Sequence, residues 1–135
     1  MMVRFEEVSK TYTTGVEAVK NTNLEIEKGE FVFIVGSSGG GKSTMIKMIL
    51  KEVEPTEGRI YINGRDITRL PKSKVPYLRR SMGIVFQDFR LLEDKTVYEN
   101  VAYAMRVIGT TPKTIKKQVP NVLSLVGLLN KANAY

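Results

Sequence analysis

Residues 36–43 read Gly-Ser-Ser-Gly-Gly-Gly-Lys-Ser, the spacing G-x-x-x-x-G-K-[ST]. Glycines at Gly36, Gly39, Gly40 and Gly41 let successive backbone N–H groups turn toward one anion with no Cβ in the way. A helix beginning at Lys42 adds the positive end of its dipole to the same spot. Lys42 brings an ammonium for β- and γ-phosphates, and the Ser43 hydroxyl is a hard oxygen ligand suited to Mg²⁺. Ser37, Ser38 and Thr44 complete the expected lining. The pattern describes a cradle for a nucleoside triphosphate and its magnesium ion. A flexible Gly/Ser linker beside a chance lysine is the plainer alternative, but it gives no reason for an apolar strand before the turn and a helix after it. A dinucleotide turn would need G-x-G-x-x-G and an acidic residue closing the next strand, and that spacing is absent.

The turn has to be held by the elements around it. Residues 3–8 alternate apolar and polar and predict a strand. Residues 23–35 read as two strands broken at Lys28-Gly29. The second of these, 31–35, is a continuous apolar run of the kind buried on both faces of a parallel sheet. Met45, Ile46, Ile49 and Leu50 fall at helical spacing over 43–51. A short strand is expected at 59–62, a turn at Asn63-Gly64, a short helix ending near Ser81, and a second apolar strand at 82–86. Thr96, with Glu99 three residues on, has the form of a capping box opening a helix that Gly109 stops. Helical spacing resumes at Ile115, Val119, Val122, Leu125 and Val126, with Pro120 as an expected interruption.

The totals narrow the setting. A chain of 135 residues supports one domain with a core of its own. No apolar run reaches the roughly 20 residues that span a bilayer, and the N-terminus has no secretory pattern. With no cysteine there is no disulfide or thiolate metal site, and with no histidine there is no His-based triad or zinc site. A net charge of +7 favours anionic partners: nucleotides, nucleic acid or a membrane surface. Basic residues gather at Arg79 and Arg80 and at Lys113, Lys116 and Lys117. A solvated helix face explains them most simply; proximity to anionic lipid is the functional alternative. Nucleic-acid binding is not expected, because it asks for aromatic residues interleaved with the basic stripe and only Tyr77 lies near one.

The glycine turn, the stretch from Val8 to Glu30 before it and the stretch "RRSMGIVFQDFRLLEDKTVYENV" after it resemble the first half of an ABC-type ATPase. The resemblance implies an α/β P-loop NTPase fold. An N-terminal antiparallel β subdomain and part of a RecA-like core would occupy 1–87, and the start of a helical subdomain 88–135. It implies ATP and Mg²⁺ as cofactors, with Tyr12 stacking on adenine, a contact worth on the order of 1–3 kcal/mol. Gln87 matches the family's glutamine loop, which reaches Mg²⁺ and the attacking water; an amide can do both without adding charge. Lys42 and Gln87 are the implied catalytic groups, and Ser43 and Gln87 the implied metal ligands. The loop departs from its relatives at Ser37 and Gly40, where they often carry proline and alanine or serine; no backbone donor is lost.

Residues 63–101, with "DITRL", "LRR" and "TVYENV", resemble most the FtsE-like cell-division branch. That branch implies an integral membrane partner of the FtsX type, reached through the region after Gln87, at the cytoplasmic face of the plasma membrane. Branches for lipoprotein release, macrolide efflux and amino-acid import share most of these motifs. Phe89, Leu91 and Leu92 are the candidate contacts for the partner, against core packing as the alternative. In the family two ATPs are sandwiched between two subunits, each lending an L-S-G-G-Q signature to the other's P-loop. The signature, the Walker B aspartate, the following glutamate and the switch histidine are not among these residues. The 135 residues are therefore expected to be the N-terminal part of a longer ATPase, able to hold Mg·ATP but not to hydrolyse it efficiently. A GTPase would need N-K-x-D, and "NKAN" at 130–133 lacks the aspartate. A small-molecule kinase would need a lid of arginines that sequence alone does not place.

Overall fold

The structure is a computed structural model that describes residues 2–36 and 41–135. Two compact units, Met1–Arg79 and Arg80–Tyr135, divide the chain.

The first unit is built on a four-stranded antiparallel sheet. β1 is Val3–Thr11, β2 Glu17–Ile26, β3 Glu57–Ile62 and β4 Arg65–Asp66, in the order β2-β1-β3-β4. Val3, Phe5, Val8 and Val19 of β1 and β2 and Ile60 and Ile62 of β3 point inward and are buried. Helix α1, Gly41–Ile49, lays Met48 into the same core with Ile67, Leu70 and Val75. A fully buried side chain of this kind contributes about 1.5–3 kcal/mol, so this cluster holds the unit together. The three-residue step from Phe5 to Val8 breaks the period of two, and the pairing register with both neighbours shifts there. Gly58 makes the shift possible: a Cβ on it would run into the Glu7 carbonyl oxygen. Asn63 and Gly64, with φ of 51° and 78°, form the tight β3–β4 turn that their dipeptide predicts. A short 3₁₀ turn, Lys72–Lys74, leads into helix α2, Val75–Arg80.

Two sequence expectations fail, for one reason. Residues 31–35 and 82–86 form no strand. Phe31, Phe33 and Val35 are exposed, Val85 fully so at 99%, and Phe31 and Phe33 meet only edge to face, centroids 5.0 Å apart. An apolar run favours burial on two faces, but a strand also needs a neighbour for its N–H and C=O groups. Among the described residues no strand pairs with either segment. Among the described residues these two segments stay unpaired, while β1–β4 form the antiparallel sheet.

The second unit is a helical pair, α3 (Val97–Val107) and α4 (Pro112–Leu125), followed by a 3₁₀ turn, Leu129–Lys131. Ala102 of α3 packs with Ile115, Val119 and Leu123 of α4. Thr96 caps α3 by accepting from the Glu99 N–H at 3.1 Å. The return half of the expected capping box is replaced: the Glu99 carboxylate takes both terminal nitrogens of Arg106, at 2.8 and 3.3 Å. Thr111 caps α4 and Pro112 sits in its first turn, where its missing N–H costs nothing. Pro120 does not interrupt α4 as the sequence predicts. The apolar face at 115, 119 and 123 seals onto α3, and Lys116, whose carbonyl loses its donor, is in water. Both helices end alike. Gly109 and Gly127 turn left-handed, and the next N–H reaches back, Thr110 to Met105 at 3.0 Å and Leu128 to Leu123 at 2.8 Å.

Candidate functional site

In the first unit, β1 delivers an aromatic residue and α1 a lysine and two hydroxyls to neighbouring positions. α1 begins at Gly41, one residue before the predicted start, and has no acidic residue in its first turn. Gly41 lies against β2, and a Cβ there would be 2.7 Å from the Ala18 carbonyl oxygen. Glycine is therefore required at this position by the closeness of a strand backbone, apart from any demand of a phosphate. The Lys42 ammonium donates to the Gly36 carbonyl at 2.8 Å, which ties the start of α1 to the residue that opens the motif. Ser43 is exposed and Thr44 buried. The Ser37, Ser38, Gly39 and Gly40 positions of the motif lie outside the described residues.

Tyr12 stands just past the end of β1, in a turn closed by its N–H to the Val16 carbonyl, 2.9 Å, and by Gly15 N–H to its own carbonyl, 2.8 Å. Its phenol shares a 3.0 Å hydrogen bond with the Thr44 hydroxyl, linking residues 32 apart in sequence. The Lys10 ammonium lies 5.2 Å from the Tyr12 ring centroid, a cation–π contact. The structure thus brings Tyr12, Gly36, Gly41, Lys42, Ser43 and Thr44 into one neighbourhood. The donor set fits a Mg-bound polyphosphate: a helix N-terminus with no acidic residue in its first turn, one ammonium, and an exposed hydroxyl beside it. Among the described residues no cluster of acidic or other ligating side chains forms a separate metal site.

Gln87 lies in the second unit, exposed, at the head of a turn. The Phe89 N–H donates to the Phe86 carbonyl at 3.2 Å, and Arg90 N–H to the Asp88 carbonyl at 2.7 Å. Phe89 and Arg90 have φ of 63° and 47°, the left-handed region that costs a non-glycine residue about 1–3 kcal/mol. Phe89 and Leu91 are 77% and 65% exposed and Leu92 less so, which rules out core packing within this chain for the first two. The segment is nevertheless tied down. The Asn100 carboxamide accepts from the Leu92 N–H at 2.8 Å and donates to the Leu92 and Thr96 carbonyls at 3.1 and 3.0 Å.

Sequence reading missed three of these features. Lys10 had only a weak signal, because it precedes Tyr12 by two but β1 ends at Thr11, between the two. The clamp by Asn100 and the Tyr12–Thr44 bond had no local signal, since each joins elements the sequence does not show to be adjacent. The lysines of α4, Lys113, Lys116 and Lys117, are all exposed. No helix among the described residues is long and apolar enough to cross a membrane.

Residues 19–135 match the family model described as "ABC transporter". The chain is 49% identical to the cell division ATP-binding protein FtsE of Bacillus subtilis (strain 168) over 134 residues, 99% of this chain and 59% of that protein. It is 44% identical to FtsE of Escherichia coli (strain K12), again over 99% of this chain and 60% of the relative. The fold superposes on the ATP-binding cassette MJ0796, solved as a dimer bound to ADP and Pi, with a TM-score of 0.87 at 36% identity, covering 97% of this chain and 60% of that one. CbiO1 of Clostridium perfringens, part of the ABC transporter complex cbiONQ, gives 0.82 at 30% identity over 98% of this chain and 53% of its own. The chain thus spans about three fifths of the length of the FtsE relatives.

Proposed function

The chain belongs to the ABC transporter family, and from that premise we propose that it is the nucleotide-gripping part of an FtsE-like ATPase. Mg·ATP is its ligand. Lys42 holds the β- and γ-phosphates, the N–H groups at the start of α1 cradle them, Ser43 takes the magnesium ion, and Tyr12 stacks on the adenine. The magnesium ion that Ser43 would hold would supply neutralisation of the phosphate charge. The observation that carries the reading is the juxtaposition on α1: the Lys42 ammonium at 2.8 Å from Gly36 and the Tyr12 phenol at 3.0 Å from Thr44. On this reading one helix end would face both the phosphate and the base of a single nucleotide.

Beyond binding, Gln87 is proposed to report the nucleotide to the segment after it, and Phe89, Leu91 and Leu92 to meet the cytoplasmic helix of an FtsX-like membrane protein in cell division. Their exposure and the Asn100 clamp support this role. The protein would work peripherally at the cytoplasmic face of the plasma membrane, as a homodimer when ATP is bound. Hydrolysis belongs to the full-length family member, since the family's signature, Walker B aspartate and catalytic glutamate are not among these residues. The test is a calorimetric titration of Mg·ATP and Mg·GTP into the chain and its Lys42→Ala variant. Binding that prefers ATP and weakens at least tenfold on substitution is expected. Equal affinity of the two proteins for Mg·ATP would sink the proposal. For the coupling role, Leu91→Asp should abolish capture of the membrane partner in a pull-down, and intact capture would refute it.

A further inference from the structure

We infer that Thr44 is a positioning residue for base recognition, its hydroxyl fixing the Tyr12 ring to the helix that grips the phosphates. The inference rests on the nucleotide reading above and asks what makes Tyr12 a platform there.

A tyrosine at the end of a strand has two free side-chain torsions, and stacking rewards only a ring already standing in the right plane. Tyr12 is held at two points. Its hydroxyl is 3.0 Å from the Thr44 hydroxyl, and the Lys10 ammonium stands 5.2 Å from its ring centroid. The cation lies over one face of the ring, so a stacked base would take the other. Thr44 is itself immobile, 3% exposed and two residues after Lys42 on the first turn of α1. A buried hydroxyl needs a partner, and the phenol is the one the structure gives it. The same bond therefore satisfies Thr44 and sets Tyr12. It also makes base and phosphate recognition one unit: a shift of α1 on gripping phosphate moves the platform with it.

The hydroxyl of Thr44 does not touch the base. Its effect on the base is carried by Tyr12, so removing either end should produce the same loss of base recognition, read as a ratio of affinities because Thr44 also belongs to the expected phosphate lining. The experiment titrates the chain with Mg·ATP and with Mg·tripolyphosphate, which has the phosphates and no base. The proteins are wild type, Tyr12→Phe, Thr44→Val, Thr44→Ser and the Tyr12→Phe/Thr44→Val double variant. The ratio of ATP to tripolyphosphate affinity should fall about fivefold in Tyr12→Phe, the effect of one neutral hydrogen bond. Thr44→Val should lower the ratio by the same factor, the double variant no further, and Thr44→Ser should restore it.

A ratio unmoved by Tyr12→Phe, or losses that multiply in the double variant, would overturn the inference. A purely structural role for the bond would weaken both ligands alike and leave the ratio unchanged, which counts against it as well. If wild type binds neither ligand in a Lys42-dependent way, the nucleotide reading itself fails. If both ligands bind and only the ratio is indifferent, the inference alone falls.

Discussion

The start of α1 and the turn after Gln87 are both motif segments, yet they are prepared differently. Around α1 the important side chains have partners within their own unit: Lys42 on Gly36, Tyr12 on Thr44, Gly41 against the Ala18 carbonyl. After Gln87 the backbone is fixed, by Asn100 at Leu92, but Phe89, on a left-handed backbone, and Leu91 project into water. A ligand as small as a nucleotide rewards a site shaped in advance, because little binding energy is left over for ordering it. A macromolecular partner can supply the burial that Phe89 and Leu91 lack here. The contrast is the one expected if the first is the proposed gripping site and the second the proposed docking segment.

Four substitutions probe that contrast. Gly41→Ala has the largest expected effect: its Cβ would sit 2.7 Å from a strand carbonyl, and the clash should cost about 1–3 kcal/mol in urea unfolding of the first unit while weakening Mg·ATP binding. Unchanged stability would mean that β2 yields and that the site is less rigid than described. Thr96→Ala removes the cap that starts α3 and should destabilise the second unit by about 1 kcal/mol, read as a lower denaturation midpoint with nucleotide affinity untouched. Phe89→Gly relieves a φ of 63° and should raise stability by up to about 1 kcal/mol while weakening capture of the membrane partner. A loss of stability would show that the ring is packed after all.

The smallest effect is a pH dependence. The hydrogen bond and charge of Arg106 beside Glu99 hold its carboxyl below the usual carboxylate range. A folded pKa lowered in this way stabilises the fold above the unfolded-state pKa, and the contribution is lost as pH falls through the folded value. Thermal unfolding of Glu99→Gln should therefore differ most from wild type near neutrality and converge with it in acid. Both side chains are largely solvated, so the difference in melting temperature should be slight.

Legibility followed locality. The Asn63-Gly64 turn, the Thr96 cap and the Gly109 stop are written in residues next to one another, and the structure has all three. The motif around Lys42 announced a strand-loop-helix and the helix came where expected. Residues 31–35 and 82–86 were misread because hydrophobicity encodes a wish for burial and carries no information on which strand will lie alongside. Pro120 was misread because a local breaker was weighed without the Ile115, Val119 and Leu123 face that overrides it. Within the site, identities were legible and pairings were not. Tyr12 and Thr44 were each singled out, and only the fold shows that they touch.

The comparison is tested most directly by Mg·ATP affinity in two variants of the full chain, Lys42→Ala and Gln87→Ala, measured side by side by calorimetry. The account predicts that Lys42→Ala abolishes measurable binding and that Gln87→Ala leaves the dissociation constant within about twofold of wild type. Binding lost in Gln87→Ala, or retained in Lys42→Ala, would contradict it, because the grip would then not reside where α1 begins.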